Sequence, residues 1–372
     1  MQKTLVNAVW LRVLILALVI LLAGCASWVA PSATARPFSY DLAPGADKAW
    51  QLESRDEHHL MLFGQWWLPE DTSEPDAIIL LLHGTLVHSG FYAPMAQHYA
   101  EQGIAVFGLD LRGWGQSQGH GRAGQVRSYD EYLTDVHTAV EAIRTQHPDL
   151  PLFIQGESMG GTIALLSQIR GTVAVDGLIL NAPAVQPGLY FGPLRTPRFV
   201  ADGGLAVLAQ PGKAVPNMPV PIHGRTAERL FARFLLPTPE IRQGFMDDPH
   251  VTHRALPWGY LTSLHRAVRE VRAGLDSIDT PVLIQHGTKD VLVPVASSEY
   301  TMDKLLVEDK HLEIYEGITH ATVHDLERER VWQDALGWLR QRLPDREYIA
   351  QREKIVGDAD YGANRANVLA ID

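Results

Sequence analysis

Three residues able to split an acyl bond stand far apart in the chain: Ser158, Asp290 and His320. The serine lies in FIQGESMGGT (153–162), where an apolar run enters Gly156-Glu157-Ser158-Met159-Gly160. A G-x-S-x-G turn between a strand and a helix holds a serine hydroxyl exposed on a strained backbone. Taken alone, the same pattern suits a structural junction that only needs small residues. Asp290 follows the apolar run PVLIQHG (281–287), and His320 follows HLEIYEG (311–317). A serine hydroxyl is a weak nucleophile, so His320 would take its proton and later return it to the leaving group. Asp290 would hold the imidazole tautomer and stabilise the imidazolium. Backbone N–H groups of Thr85 and Met159 would face the developing oxyanion. Gly156 and Gly160 would permit the tight turn, and Gly161 would let the following helix approach the sheet.

These residues cooperate only if secondary structure brings them to one place. Buried strands are predicted at 77–84, 104–113, 151–156, 176–183, 281–287 and 311–317, from their continuous apolar runs. Amphipathic helices are predicted at 92–102, 128–146, 159–170 and about 325–342. Residues 49–69 read as a hairpin in which Trp66 and Trp67 pack. Alternation of this kind predicts an α/β fold with a mostly parallel sheet covered on both faces. Ligands of such sheets sit beyond the carboxyl ends of the strands. His83-Gly84-Thr85, Ser158, Asp290 and His320 all fall at such ends.

The rhythm breaks between about 187 and 275, a span rich in Pro, Gly and large apolar side chains. A structureless loop of that length would be unusual, so the span reads as an inserted, mostly helical lid. Leu189, Tyr190, Phe191, Phe231, Phe234, Leu235 and Leu236 would then line an acyl tunnel. Asp110 reads as a brace of the loop containing Arg112 and Gly113, and Arg112 as a loop brace rather than a substrate ligand. His88 is a support or substrate contact at most, and His58 and His59 read as strand surface. His324 stands four residues after His320, but H-A-T-V-H lacks the glutamate of H-E-x-x-H, so it reads as an ordinary helix residue. No metal or organic cofactor is called for.

A formal charge of −11 over 372 residues excludes a general nucleic-acid binder, because phosphate contacts need a basic surface. The single cysteine, Cys25, excludes an internal disulfide. Lys3 and Arg12 precede the apolar run Val13–Ala23, which has the length of a signal-peptide core. The run ends Leu22-Ala23-Gly24-Cys25, which resembles the lipobox of a bacterial lipoprotein. The expected organisation is a signal peptide at 1–24, a lipidated Cys25 opening a tether at 25–45, a hydrolase domain at 46–345 and a tail at 346–372. The expected place is the cell envelope, lipid-anchored to a membrane and facing the periplasm or in the outer membrane.

The chain order Ser…Asp…His is that of the α/β hydrolases. More specifically, the sequence resembles the monoacylglycerol lipase / lysophospholipase branch of that superfamily, which includes serine aminopeptidase-type hydrolases. The matching blocks are HGTLVHSGFY (83–92), DLRGWGQSQG (110–119), GESMGG (156–161), LNAPAV (180–185), DDP (247–249), HGTKDVLVP (286–294) and YEGITH (315–320). The resemblance implies an α/β-hydrolase fold and cleavage of a lipid ester such as a monoacylglycerol or lysophospholipid through an acyl-enzyme. An amidase, a peptidase or an acyltransferase with the same triad is the nearest alternative. A catalytically inactive envelope lipoprotein that binds a ligand is the alternative from another class. The chain departs from the family at Glu157, usually histidine, and at Leu86-Val87, often Gly-Glu.

Overall fold

The computed structural model describes residues 41–70, 74–120, 124–186, the pairs 190–191 and 194–195, 369–371, and 206–344 apart from 208, 221–231, 234 and 254. The signal segment, Cys25, Leu189, Phe231 and Phe234 lie outside the described residues.

Two strands, β1 (Lys48–Glu53) and β2 (Met61–Trp67), form the antiparallel hairpin, with Trp50 opposite Gly64. Trp66 packs its ring 4.9 Å from both Trp50 and Phe107, and Trp67 is fully buried on the other face. His58 and His59 sit in the turn between these strands rather than on strand surface, and His59 has φ +48°. Six further strands follow: β3 (Ala77–Leu82), β4 (Ile104–Leu109), β5 (Leu152–Glu157), β6 (Gly177–Asn181), β7 (Val282–Gly287) and β8 (Lys310–Tyr315). A last strand, β9 (Leu369–Ile371), pairs antiparallel with β1. The sheet order is β8-β7-β6-β5-β3-β4-β2-β1-β9, and β3 to β8 are all parallel.

Among the described residues, the helices longer than four residues are α1 (Ala93–Glu101), α2 (Tyr129–Gln146), α3 (Met159–Ile169), α4 (Pro239–Asp247), α5 (Trp258–Gly274), α6 (Val295–Lys304) and α7 (Arg328–Arg340). Alternation along a strand sends successive side chains to opposite faces. Ile78, Leu80 and Leu82 of β3 therefore join a core with α2, α3 and α5, whereas Ile79 and Leu81 join α1 and α7. Continuous apolar strands are the consequence of covering both faces. The α2 stripe Tyr132, Val136, Val140 and Ile143 is buried, and Ser128 caps the helix by accepting from Asp130 N–H at 3.2 Å.

Within the span read as an insertion, α4 and α5 are helical, and Tyr190–Phe191 pairs with Leu194–Arg195 as a short ribbon. Helix α5 packs in the same core as α3, burying Tyr260, Ala267 and Val271. Its first turn is tied to the preceding segment by Trp258 N–H to Met218 O (2.9 Å) and Gly259 N–H to Pro216 O (2.8 Å). Leu236 is buried and Leu235 half-buried. Among the described residues no helix is long and apolar enough to cross a membrane.

Candidate active site

Ser158 stands between the last residue of β5 and the first of α3, with φ +52° and ψ −107°. That conformation is strained for any residue with a Cβ. It is held by Ser158 N–H donating to Asn181 O (2.9 Å), and by Thr162 and Ala184 N–H donating to Ser158 O, both at 3.1 Å. Small residues are required around it. A Cβ on Gly160 would lie 2.0 Å from Leu82 O, so Gly160 is what lets α3 cross the end of β3. A Cβ on Gly161 would lie 2.9 Å from Pro183 Cβ and 3.2 Å from Gly156 O of β5, so Gly161 shares in the close approach of α3 to the sheet, as expected.

The loop after β7 places Asp290, and the loop after β8 places His320. Nδ1 of His320 lies 2.6 Å from Asp290 Oδ2, and both side chains are almost wholly buried. A carboxylate only accepts, so Nδ1 carries the proton and Nε2 is left free as a base. Asp290 Oδ1 accepts from Leu292 and Val293 N–H at 2.8 and 2.9 Å, which fixes the carboxylate plane. Burial alone would raise the Asp290 carboxyl. The adjacent His320 charge and hydrogen bonds from His286 and His320 outweigh it and hold the group well below its ordinary range. Burial likewise opposes the His320 imidazolium, but Asp290 outweighs it and leaves the ring above its usual value.

His286 was not singled out in the sequence, yet its Nε2 lies 3.1 Å from Asp290 Oδ2 and 2.9 Å from Val293 O. A carbonyl only accepts, so Nε2 carries the proton, and Nδ1 accepts from Ser298 Oγ at 2.6 Å. A histidine ending an apolar strand carries no signal that separates this role from ordinary burial.

The loop after β3 is built around two buried rings. His83 donates from Nδ1 to Gly84 O (2.7 Å) and accepts Leu111 N–H at Nε2 (3.1 Å), and its burial drops it to about 4, so it is neutral. Tyr92 accepts Gly84 N–H at 3.0 Å and donates to Glu157 Oε1 at 3.0 Å. Glu157 Oε2 is buried with no hydrogen-bond partner among the described residues. Burial pushes this carboxyl up to about 7, with the His320 charge pulling against it. Thr85 follows Gly84, and Leu86 holds φ +77°, a conformation in which glycine would be free of strain. Leu86 O accepts Thr252 N–H at 2.8 Å, which ties the loop to the segment after α4.

His88 Nε2 donates to Asp248 Oδ2 at 2.9 Å, while Nδ1 accepts Gly90 N–H at 3.2 Å. Asp110 braces its loop by accepting from Ser89 N–H and Gln116 N–H, each at 2.8 Å. Arg112 is fully buried and bonds Asp135 and Asp56, tying the loop to α2 and to the β1–β2 turn. His324 is not an ordinary helix residue. It ends a 3₁₀ turn (Thr322–His324), buried 4.6 and 4.8 Å from the Phe91 and Tyr92 rings, and burial lowers it to about 3.

His58, His120 and Glu131 bring possible metal-ligating atoms within 4.8 Å of one another. Arg127 Nη1 sits 2.8 Å from His58 Nε2, and Arg112 Nη1 lies 3.8 Å from Glu131 Oε1. Two guanidinium groups already supply the positive charge there, so a hydrogen-bonded network fits these residues better than a cation. A cavity of about 550 Å³ lined by Arg144, Asp149, Asp176 and Arg342 opens near the amino ends of β5 and β6, away from Ser158.

A family model described as serine aminopeptidase, S33, matches residues 73–327. The monoacylglycerol lipase of Mycolicibacterium smegmatis is 31% identical over 277 residues, covering 74% of this chain and 92% of that protein. The monoglyceride lipase of Homo sapiens is 27% identical over 284 residues, covering 76% and 87%. Among solved structures, a soluble variant of monoglyceride lipase from Saccharomyces cerevisiae matches with a TM-score of 0.68 at 20% identity, covering 83% of this chain and 100% of that one. The monoacylglycerol lipase of Paleococcus ferrophilus matches at 0.62 and 22%, covering 76% and 99%. The structural likeness carries the α/β-hydrolase fold.

Proposed function

The chain belongs to the serine aminopeptidase (S33) family of hydrolases, and on that premise we propose that Ser158, Asp290 and His320 form its catalytic triad. The chain is a carboxylic ester hydrolase. The observation that supports the triad most directly is the 2.6 Å bond from His320 Nδ1 to Asp290 Oδ2, at strand ends shared with a serine at φ +52°.

In this reading His320 Nε2 takes the Ser158 proton as the hydroxyl oxygen attacks the ester carbonyl carbon. The carbonyl oxygen becomes an oxyanion facing the backbone N–H groups of Thr85 and Met159, each worth roughly 3–4 kcal/mol. His320 then protonates the departing alcohol, leaving an acyl-serine. Water attacks the acyl-serine by the same steps in reverse order. The substrate class is a monoacylglycerol or a similar single-chain lipid ester, a reading supported by the names of the relatives with which this chain shares most of its length.

The enzyme works from a membrane surface, held there through lipid on Cys25 in the cell envelope. Supporting this are the LAGC junction and the Pro-containing stretch that separates Cys25 from β1. Mass spectrometry of the mature amino terminus reads it directly: a diacylated Cys25 is expected, and an unmodified cysteine overturns the anchor.

The triad is tested with a fluorophosphonate probe and a graded series of glycerol esters. Ser158→Ala should lose both labelling and turnover while remaining folded. Asp290→Asn should slow turnover by up to about 10⁴-fold through the wrong tautomer. Full activity in either variant refutes the assignment.

A further inference from the structure

One hydroxyl touches the side chains of both residues assigned to the oxyanion hole. Tyr260, in the first turn of α5, donates to Met159 Sδ at 3.4 Å and is hydrogen-bonded to Thr85 Oγ1. The Met159 thioether can only accept, whereas either hydroxyl can donate in the bond between Thr85 and Tyr260. Tyr260 is itself immobilised. It is 2% exposed, its ring meets Trp114 edge-on with centroids 5.8 Å apart, and its N–H donates to Pro257 O at 3.0 Å.

We propose that Tyr260 is a positioning residue for the oxyanion hole, setting the β3 loop at Thr85 and the start of α3 at Met159 relative to each other through one buried hydroxyl. The proposal rests on the assignment of Thr85 and Met159 as oxyanion donors. Those two residues come from separate elements, and their N–H vectors must converge on a point that only the transition state occupies. Donors misplaced by a fraction of an ångström act weakly, and preorganisation is the source of their effect. The loop needs such a fixture. Leu86, next to Thr85, carries a strained positive φ, so the backbone there does not rest in its own minimum. The fixture reaches back to residues 216–218, whose carbonyls accept from the first residues of α5, so the insertion contributes to the site without touching the reacting atoms.

The test is a double-substitution cycle on the full chain, with Tyr260→Phe and Thr85→Ala. Both remove a hydroxyl and leave every backbone N–H in place. Each single variant should lower kcat on a short soluble ester about tenfold with KM changed less than twofold, because the lost interaction matters only in the transition state. The pair should lose no more than either single variant, since the two changes break one connection. Inhibition by an arylboronic acid, which forms a tetrahedral adduct on the serine, should weaken in step with kcat. Inhibition by the fatty-acid product should not change. Unaltered kcat in Tyr260→Phe, multiplied losses in the double variant, or equal weakening of both inhibitors overturns the proposal. Ser158→Ala separates the two levels: if it still turns over, the assignment of the nucleophile fails, whereas a dead Ser158→Ala beside a fully active Tyr260→Phe removes the brace alone.

Discussion

The Tyr92 hydroxyl donates to Glu157 Oε1 at 3.0 Å, and among the described residues this is the one hydrogen bond to a carboxyl buried beside Ser158. A neutral neighbour such as glutamine would satisfy the same donor. The carboxyl therefore carries an electrostatic consequence that the bond alone does not require.

That consequence is a pH dependence. Burial raises Glu157 from 4.5 to about 7, so its ionisation opposes folding. No penalty applies below about pH 4.5, where the group is protonated folded or unfolded, and the full penalty applies above about 7. At about 1.4 kcal/mol per tenfold change, the penalty reaches roughly 3 kcal/mol. Glu157→Gln should therefore gain stability over wild type as pH rises through this window and match it below, which denaturant unfolding at pH 5 and pH 8 measures. An ionised Glu157 also favours the His320 imidazolium. The acid limb of kcat/KM should accordingly move to lower pH in Glu157→Gln. A gap in stability that is the same at both pH values would contradict this account.

His286 shares Asp290 Oδ2 with His320 and receives the Ser298 hydroxyl on its other nitrogen. Its replacement by alanine removes a charged hydrogen bond and orphans the Val293 carbonyl, at a cost on the order of 3 kcal/mol. Asp290, held below its ordinary value, contributes stability that is present above about pH 4 and lost as pH falls. Without His286 part of that depression goes, so the acid-unfolding midpoint of His286→Ala should move to higher pH. Turnover should fall about tenfold from a mobile Asp290, and His286→Gln should recover part of it. An unmoved acid midpoint would show that His286 acts by packing alone.

Strain at Ser158, the proposed nucleophile, predicts an ordering of two of its variants. Ser158 has φ +52°, where a Cβ costs about 1–2 kcal/mol and glycine pays nothing. Ser158→Gly should unfold at a higher temperature than Ser158→Ala, by about 2 °C or more for a domain of this size. Calorimetry of the two apoproteins decides it, and equal midpoints would mean that the turn stores no strain.

The sheet was legible because fully covered parallel strands must be apolar along their whole length, and each chemistry-bearing residue follows one such run. Ser158, Asp290 and His320 could be named on that ground, as could the bracing role of Asp110. Hydropathy is a one-dimensional quantity that reports burial, and burial is what places strand ends in a row. It carries no information about which side chains meet once the strands are aligned. The pairing of His286 with Asp290 joins the end of β7 to the loop that follows it, with Ser298 of α6 bonded to His286, and the span from 187 to 275 shows only Pro, Gly and apolar richness in the sequence where Tyr260 reaches Thr85 and Met159 across 175 and 101 residues. His324 reads as an ordinary helix residue in the sequence, whereas in the structure it ends a 3₁₀ turn and packs against Phe91 and Tyr92. Sequence alone thus determined the fold and named the proposed reacting groups, through patterns local in the chain. Only the tertiary structure decided what holds those groups in place, because hydrogen bonds act over about 3 Å between atoms that folding alone brings together.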